Sequence, residues 1–266
     1  DFEQNNGTFN CSSATLNIGG DFTLTAGTFN GNSSTINITG DFTINSGSFT
    51  STSGNLSIAG DLDIAGGFSH NNGTVILNGA LQSILSGATF YNFTKQVALA
   101  DTLYIQAGVN SIVVQGTLTL KGAAGQLLSI RSGTAAIPAP GQLWYIKFQG
   151  TTKDLDYLDV QDSYSYYSPI LAPTHSTNSG HNWGWFASFI WTGAVDTDWN
   201  TAGNWNLGSV PGTNDNVIIP NVANDPIIGS NANASYIKIG SGAVLTIQDT
   251  FSITARGDMY IIGTLT

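Results

Sequence analysis

Apolar and polar residues alternate strictly through the first part of the chain, in a pattern that recurs every 20 residues. Residues 7–26 read GTFNCSSATLNIGGDFTLTA, and residues 27–46 read GTFNGNSSTINITGDFTINS. Each copy holds short alternating runs that are separated by Gly-rich or polar segments. Period-two alternation over runs this short predicts half-buried β-strands joined by turns. The pattern therefore predicts about three strands in each unit.

The apolar residues of successive copies fall into columns. The columns are Phe9, Phe29 and Phe49, then Leu16, Ile36 and Leu56, then Phe22, Phe42 and Leu62. Identical units of this length favour a solenoid, in which each unit is one coil stacked on the last. The apolar columns then fill the interior, and like residues outside it form ladders. Asn10 over Asn30 and Asn17 over Asn37 are expected to hydrogen-bond through their amides.

The predicted fold class is all-β: a right-handed parallel β-solenoid with about 20 residues and about three short strands per coil. A β-propeller is the main alternative, because two units would equal a blade of about 40 residues. The solenoid is favoured because antiparallel blades do not require each half to match so closely. Residues 67–86 keep the pattern at an offset of 19, and no segment predicts a helix.

Two domains are predicted from the weakening of the pattern and its return. Residues 1–190 form a solenoid with a loop-rich end at 163–190, and residues 191–266 begin the next solenoid module. The tail GDMYIIGTLT repeats the pattern of the early coils, and joined to the opening DFEQNNGTFN it reads as uninterrupted solenoid. The second module is therefore expected to be open-ended and continuous with residue 1 of another copy.

The composition removes several classes of partner. The chain has 7 Lys and Arg against 17 Asp and Glu, a net charge of −10, and only 9% charged residues. Binding to nucleic acid or to anionic membrane surfaces rests on clustered Lys and Arg, so neither is expected. No apolar run reaches the roughly 18 residues of a membrane span. Cys11 is the single cysteine, which rules out an internal disulfide.

Several stretches resemble modules of large secreted bacterial surface proteins. They are, in chain order, GFSHNNGTVILNG, ATFYNFT, GTLTLKGAAGQLLSIRS, LDYLDVQDS and WTGAVDTDWNTAGNWNLGSVPGTNDNVIIP. Proteins of this kind are filamentous-haemagglutinin-like or adhesin-like parallel β-helices, often built from tandem copies. The resemblance covers most of the chain. It implies an extracellular or cell-surface location and a structural or adhesive role, with no catalytic motif in these regions.

Asp21, Asp41 and Asp61 occupy the same position in successive coils and are the candidate metal site. Stacked at about 4.8 Å, neighbouring carboxylates repel each other by roughly 1 kcal/mol in water, and Ca²⁺ would relieve that repulsion. Calcium takes six to eight oxygen ligands, which one Asp column does not supply without carbonyl groups. A solvated column is therefore favoured over calcium, and no other cofactor is expected.

A second candidate site is an aromatic cluster. Five Trp residues fall between positions 183 and 205, and Trp183, Trp185, Trp199 and Trp205 are the candidate glycan-stacking platform. Packing where one run of coils meets the next is the favoured interpretation of the cluster, Trp191 included. Histidines 70, 175 and 181 lack zinc-type spacing. The carboxylates at 154, 156, 159 and 162 lack the grouped basic residues of pectate-lyase-like β-helix enzymes.

The expected function is structural: a rod, stalk or filament subunit of a bacterial cell surface, assembled by coil-on-coil stacking with further copies of itself. One alternative is an adhesin that binds glycans or a surface through loops such as 163–190. A second alternative is a β-helix polysaccharide lyase or hydrolase, although the chain is not expected to be an enzyme. Buried Trp residues would count against both alternatives.

Overall fold

A computed structural model describes residues 1–108, 111–166 and 170–266. Over this part the chain is an all-β parallel β-solenoid of about 13 turns, with about 20 residues per turn and no α-helix. Two compact units hold these turns: Asp1–Thr177 with Trp183–Trp185, and Asn178–Asn182 with Phe186–Thr266. The solenoid fold is confirmed. Its right-handed sense and the domain boundary after residue 190 stay predictions.

Among the described residues before position 184, the strands follow four parallel sheets, here called sheets A to D. Sheet A holds Phe2–Gln4, Phe22–Leu24, Phe42–Ile44, Leu62–Ile64, Ser83–Ile84, Asp101–Ile105, Leu128–Ser132, Leu158–Val160 and Thr177–Asn178. Sheet B holds Thr8–Asn10, Thr28–Asn30, Ser48–Thr50 and Gly67–Ser69. Sheet C holds Leu16–Ile18, Ile36–Ile38, Asn55–Ile58, Thr74–Leu77, Asn92–Gln96, Thr117–Lys121 and Thr152–Asp156. Sheet D holds Thr89–Phe90, Ile112–Val114, Trp144–Phe148, Ser163–Ser165 and Asn182–Trp183.

The register of these sheets confirms the predicted columns. Phe22 pairs with Phe42 in sheet A, and Ile36 pairs with Leu56 in sheet C, both in parallel. The predicted offset of 19 is also present, since Phe49 pairs with Phe68. Parallel pairing between successive coils excludes the antiparallel blades of a propeller.

Aromatic rings of the first coils stack in the interior. The ring centroids of Phe22 and Phe42 are 5.0 Å apart with planes inclined by 18°, and those of Phe29 and Phe49 are 4.8 Å apart at 9°. The two columns meet edge to face, as between Phe22 and Phe29 at 89°. Each such pair adds about 0.5–1.5 kcal/mol beyond the burial of its area. The ladder thus joins coils both along and across the stack.

The amide ladders predicted on the polar positions are also present. Asn30 Nδ2 donates to Asn10 Oδ1 at 2.7 Å, and Asn37 Nδ2 donates to Asn17 Oδ1 at 2.8 Å. The Gly that opens the second copy is required for a steric reason. Gly27 has a φ of +92°, and a Cβ there would lie 2.4 Å from the carbonyl oxygen of Gly7 in the preceding coil. A side chain would therefore separate the coils.

The second unit has its own strands and core. Its sheets hold Phe189–Ile190, Asn216–Ile219, Tyr236–Ile239 and Met259–Ile261; Ile227–Ile228, Val244–Ile247 and Thr264–Leu265; and Ala232–Ala234 with Ile253–Ala255. A single 3-10 turn, Ala202–Asn204, is the one helical element of the described chain. The tail follows the predicted pattern, since Ile237 pairs in parallel with Met259.

Lys95 breaks the aliphatic pattern inside the first unit. It lies on sheet C between Leu77 and Leu120, the residues with which it pairs in register. Its side chain is fully buried, and Nζ lies 2.9 Å from Oδ2 of Asp101, whose side chain is 8% exposed. Nζ also donates to Gln82 Oε1 at 2.9 Å. The sequence pattern did not reveal this buried pair.

The surroundings of Asp101 lower the pKa of its carboxyl. Burial raises the pKa of the Asp101 carboxyl, but the N–H of Leu81 and the ammonium of Lys95 outweigh it, so the pKa lies below its ordinary value. A carboxyl whose pKa is lower in the folded state stabilises the fold above its unfolded pKa. That stabilisation is lost as the pH falls through the folded pKa.

Replacing Lys95→Met is expected to destabilise the chain by about 3–5 kcal/mol, because the Asp101 carboxylate stays buried without its counter-ion. Urea unfolding followed by circular dichroism measures the change. Adding Asp101→Asn to Lys95→Met should recover most of the loss, and should remove the acid sensitivity of this region. The control is Lys121→Met, which breaks a surface pair with Asp154 and should leave the midpoint unchanged. Equal losses in both single variants would contradict the buried-pair interpretation.

Candidate functional site

The Asp column, whose residues directly precede strands of sheet A, is a hydrogen-bonded ladder. The N–H of Asp41 donates to Oδ1 of Asp21 at 2.9 Å, and the N–H of Asp61 donates to Oδ1 of Asp41 at 2.7 Å. Asp1 begins this series by accepting from Asp21, and Asp61 continues it by accepting from the N–H of Ser83. Each carboxylate therefore caps a backbone amide of the next coil. This gives the repeated Asp a structural role.

The calcium hypothesis stays a prediction. Within residues 1–108, 111–166 and 170–266, no group of three or more His, Cys, Asp or Glu side chains is placed to hold a metal ion. One oxygen each of Asp21, Asp41 and Asp61 already accepts a backbone hydrogen bond. A cation on this column would therefore bind through the other carboxylate oxygens.

Three of the four Trp residues of the candidate glycan platform are buried. Trp185, Trp199 and Trp205 are 0%, 1% and 3% exposed, so a sugar ring cannot reach their faces, and Trp183 is half-buried. In the first unit Trp185 packs edge to face against Trp144, with centroids 5.7 Å apart. Its Nε1 donates to Ser163 Oγ at 2.6 Å. Trp144 and Trp185 therefore belong to the core of the first unit, and the expected junction between runs of coils stays a prediction.

The remaining Trp residues form the centre of the second unit. Trp205 contacts Trp191 and Trp199 edge to face, with centroids 5.0 and 4.8 Å apart. Two of these indoles donate to backbone carbonyl groups. Trp191 Nε1 donates to Asn224 O at 2.6 Å, and Trp205 Nε1 donates to Trp199 O at 2.9 Å. Buried, satisfied indoles of this kind fix the loop that carries them.

A buried asparagine organises the same loop. Asn204 is fully buried, and its Nδ2 donates to Asp196 Oδ1 at 2.6 Å and to Asp198 O at 2.9 Å. Its Oδ1 accepts the N–H groups of Val195 and Asp196 at 2.9 and 3.0 Å. All four positions of the carboxamide are thus used. Sequence reasoning missed Asn204, and the one available signal was the recurrence of Asn beside Trp in DWN, GNWN.

Asp196 is held ionised by this network. The Asn204 hydrogen bond lowers the pKa of the Asp196 carboxyl, and the N–H of Asp198 and the hydroxyl of Thr201 lower it further. The loop from 196 to 201 is therefore pinned at its base by one carboxylate and one carboxamide. Its outer side carries Asp198 and Asn200, which are exposed.

A groove of about 510 Å³ lies beside this loop, within the second unit. We call it the second-unit groove, and its lining includes Thr197, Asp198, Asn200, Ile227, Ser230 and Gln248. Asn200 Nδ2 donates to Ser230 Oγ at 2.8 Å across the groove. The backbone joins the walls as well, since the N–H of Ile227 donates to Thr197 O at 2.7 Å. Neither the groove nor its residues were predicted.

The carboxylates of the 154–162 run are separated by the fold. Asp154 pairs with Lys121 at 3.0 Å, and Asp156 accepts from His175 at 2.8 Å. The hydrogen bond from His175 lowers the pKa of Asp156. Asp159 lies on sheet A, where it forms an ion pair with Arg131. Each of these three carboxylates contacts a different partner. Two catalytic carboxylates of a glycoside hydrolase would instead face one substrate.

The other predicted polar residues have local contacts. Asp162 is buried and accepts the N–H of Gly141 at 2.9 Å. Lys153 donates to Ile170 O at 3.0 Å, and burial lowers its pKa. His70 lies 3.0 Å from Gln115 Oε1, and the N–H of His181 donates to Ser235 Oγ at 2.9 Å. Part of the predicted binding loop, residues 167–169, lies outside the described residues.

A comparison with known protein families matches part of the second unit. Residues 190–264 match the model of a domain of unknown function, DUF8693. No match is found among curated proteins or among solved structures. The chain is thus a β-solenoid protein that contains a domain of unknown function. Across the residues that the structure describes, no helix is long and apolar enough to cross a membrane.

Replacing Asp41→Ala is expected to destabilise the fold by about 0.5–1.5 kcal/mol, because the N–H of Asp61 loses its acceptor. Asp41→Asn keeps an acceptor oxygen and should retain most of the stability. Asp63→Ala, an outward residue of the same sheet, serves as the control. Urea midpoints should not change when calcium chloride is added. A calcium-dependent rise that Asp41→Asn abolishes would instead support the metal site.

Replacing Asn204→Ala is expected to destabilise the second unit by at least about 2 kcal/mol, because buried backbone groups lose their partners. In the same variant the pKa of Asp196 should rise towards the ordinary value of about 3.9, as measured by NMR titration of the carboxyl carbon. The exposed Asn233→Ala should change neither quantity. An unchanged Asp196 titration in Asn204→Ala would refute the assigned contact.

Proposed function

We propose that the chain is a structural extracellular repeat protein, a rod, stalk or filament subunit of a bacterial cell surface. The observation that carries the proposal is the column of like side chains in parallel register, as in Phe22, Phe42 and Leu62. A stack in which each coil binds the next through repeated contacts grows by adding coils. The number of repeats then sets the length of the rod.

The use of the polar residues supports a structural role. The Asp column caps backbone amides, the Asn columns bond to each other, and the carboxylates between 154 and 159 have separate partners. These side chains form hydrogen bonds and ion pairs within the stack of coils, and they do not converge on one site where a substrate would bind. This supports a protein that is not an enzyme, and the lyase or hydrolase alternative has no specific contact in its favour.

Further copies of the chain are the partners that we propose, joined end to end in a covalent tandem or in a filament. Residues 257–266 repeat the pattern of the early coils, and Met259–Ile261 forms a strand of the same parallel kind. Parallel strands with free edges bind further strands through their backbone groups. The resemblance to large secreted bacterial surface proteins and the acidic, charge-poor composition support an extracellular location.

Electron microscopy of the native material tests the proposal. About 13 coils at about 4.8 Å per coil add about 60 Å per copy. Long fibres with an axial repeat near that length are the expected result. Antibodies raised against the purified chain should label the fibres at the same interval, and pre-absorption with the chain should remove the label. Discrete globular particles in place of fibres would overturn the proposal.

A further inference from the structure

One wall of the second-unit groove is held in place by buried contacts. Behind one wall, Asn204 and Asp196 pin the loop that carries Asp198 and Asn200. The N–H of Trp199, whose ring is buried, donates to Ile227 O at 3.1 Å and joins this loop to the adjacent coil. A wall that is already ordered reduces the conformational entropy that the protein would lose on binding a ligand. The buried Trp and Asn residues therefore support the groove although they do not line it.

The groove keeps several polar groups open to a ligand. In the described structure the Gln248 side chain makes no hydrogen bond, and the Oδ1 atom of Asn200 accepts none. Gly229 allows Gln248 to approach, since a Cβ at Gly229 would lie 3.1 Å from Gln248 Oε1. The groove therefore offers a ligand both the donor and the acceptor of the Gln248 carboxamide, and the acceptor oxygen of Asn200.

The chemistry of the lining selects among ligand classes. The lining contains hydroxyls, carboxamides and the single carboxylate of Asp198, and it contains no Lys, Arg or His. Phosphate, sulfate and uronate groups would therefore meet no positive charge. One carboxylate is also too few for a calcium site. A neutral ligand with many hydroxyl groups matches the alternating donors and acceptors of the walls.

We propose that the second-unit groove binds a neutral saccharide, with the carboxamides of Asn200 and Gln248 as its main contacts. Its volume of about 510 Å³ lies within the range of about 300–1,000 Å³ that is usual for small-molecule sites. The groove is open to solvent, so it accepts a segment of a longer glycan. This function is separate from the structural role and does not depend on filament formation.

The experiment is saturation-transfer NMR on the complete 266-residue chain, with maltotriose, cellotriose, mannotriose and triacetylchitotriose as probes. At least one probe is expected to receive magnetisation from the protein. Gln248→Ala and Asn200→Ala should each raise the Kd of that probe by about three- to tenfold, the loss of one or two hydrogen bonds. Asn233→Ala, an exposed carboxamide of the same unit, is the matched control and should leave the Kd unchanged.

Gly229→Ala provides a second test that removes no polar group. The added methyl displaces the Gln248 carboxamide, so the affinity should fall while the thermal unfolding midpoint stays the same. Transfer to none of the four probes would overturn the proposal. Sugar binding that is unchanged in Gln248→Ala, Asn200→Ala and Gly229→Ala would also overturn it. So would the finding that the groove binds Ca²⁺ from calcium chloride and that the bound Ca²⁺ prevents sugar binding.

Discussion

The parallel hydrogen-bond register between successive coils is the constraint on which the rest of the structure depends. Once a strand such as Phe42–Ile44 pairs in parallel with Phe22–Leu24, every side chain is placed over its counterpart of the previous coil. A one-residue slip would exchange the interior and exterior faces. The 20-residue spacing of Phe, Ile and Asn therefore follows from one requirement: each interior residue must cover another interior residue.

Buried polar groups show how the fold departs from that rule without losing its register. Lys95 lies in an aliphatic column. Asp101 neutralises its charge, and Gln82 accepts a hydrogen bond from its ammonium group. Asn204 satisfies four backbone or side-chain partners from a position without solvent access. Both groups are fully paired, which is the condition under which a buried polar group is tolerated. In the second unit the pairing also determines the shape of an exposed loop.

The sequence predicts the solenoid, the columns and the amide ladders, because these depend on spacing alone. Asn10 over Asn30 and Phe49 over Phe68 follow directly from the offsets of 20 and 19. The sequence does not predict the ion pair of Lys95 with Asp101. Their contact joins two sheets of one coil and does not recur in the other coils. Asn204 and the groove at Asn200 and Gln248 are missed because they depend on the conformation of a loop that does not recur along the chain. The Trp residues were located as a cluster, but only the structure shows that Trp185, Trp199 and Trp205 lack an accessible face.

The Asp ladder has a direction. The carboxylate of Asp1 accepts from the amide of Asp21, that of Asp21 accepts from Asp41, and that of Asp41 accepts from Asp61. In every step the acceptor belongs to the earlier coil and the donor to the later one. A coil that has already folded thus offers a carboxylate acceptor to the coil that is synthesised after it. The chain carries, in one repeated side chain, a template for folding in the order of its synthesis.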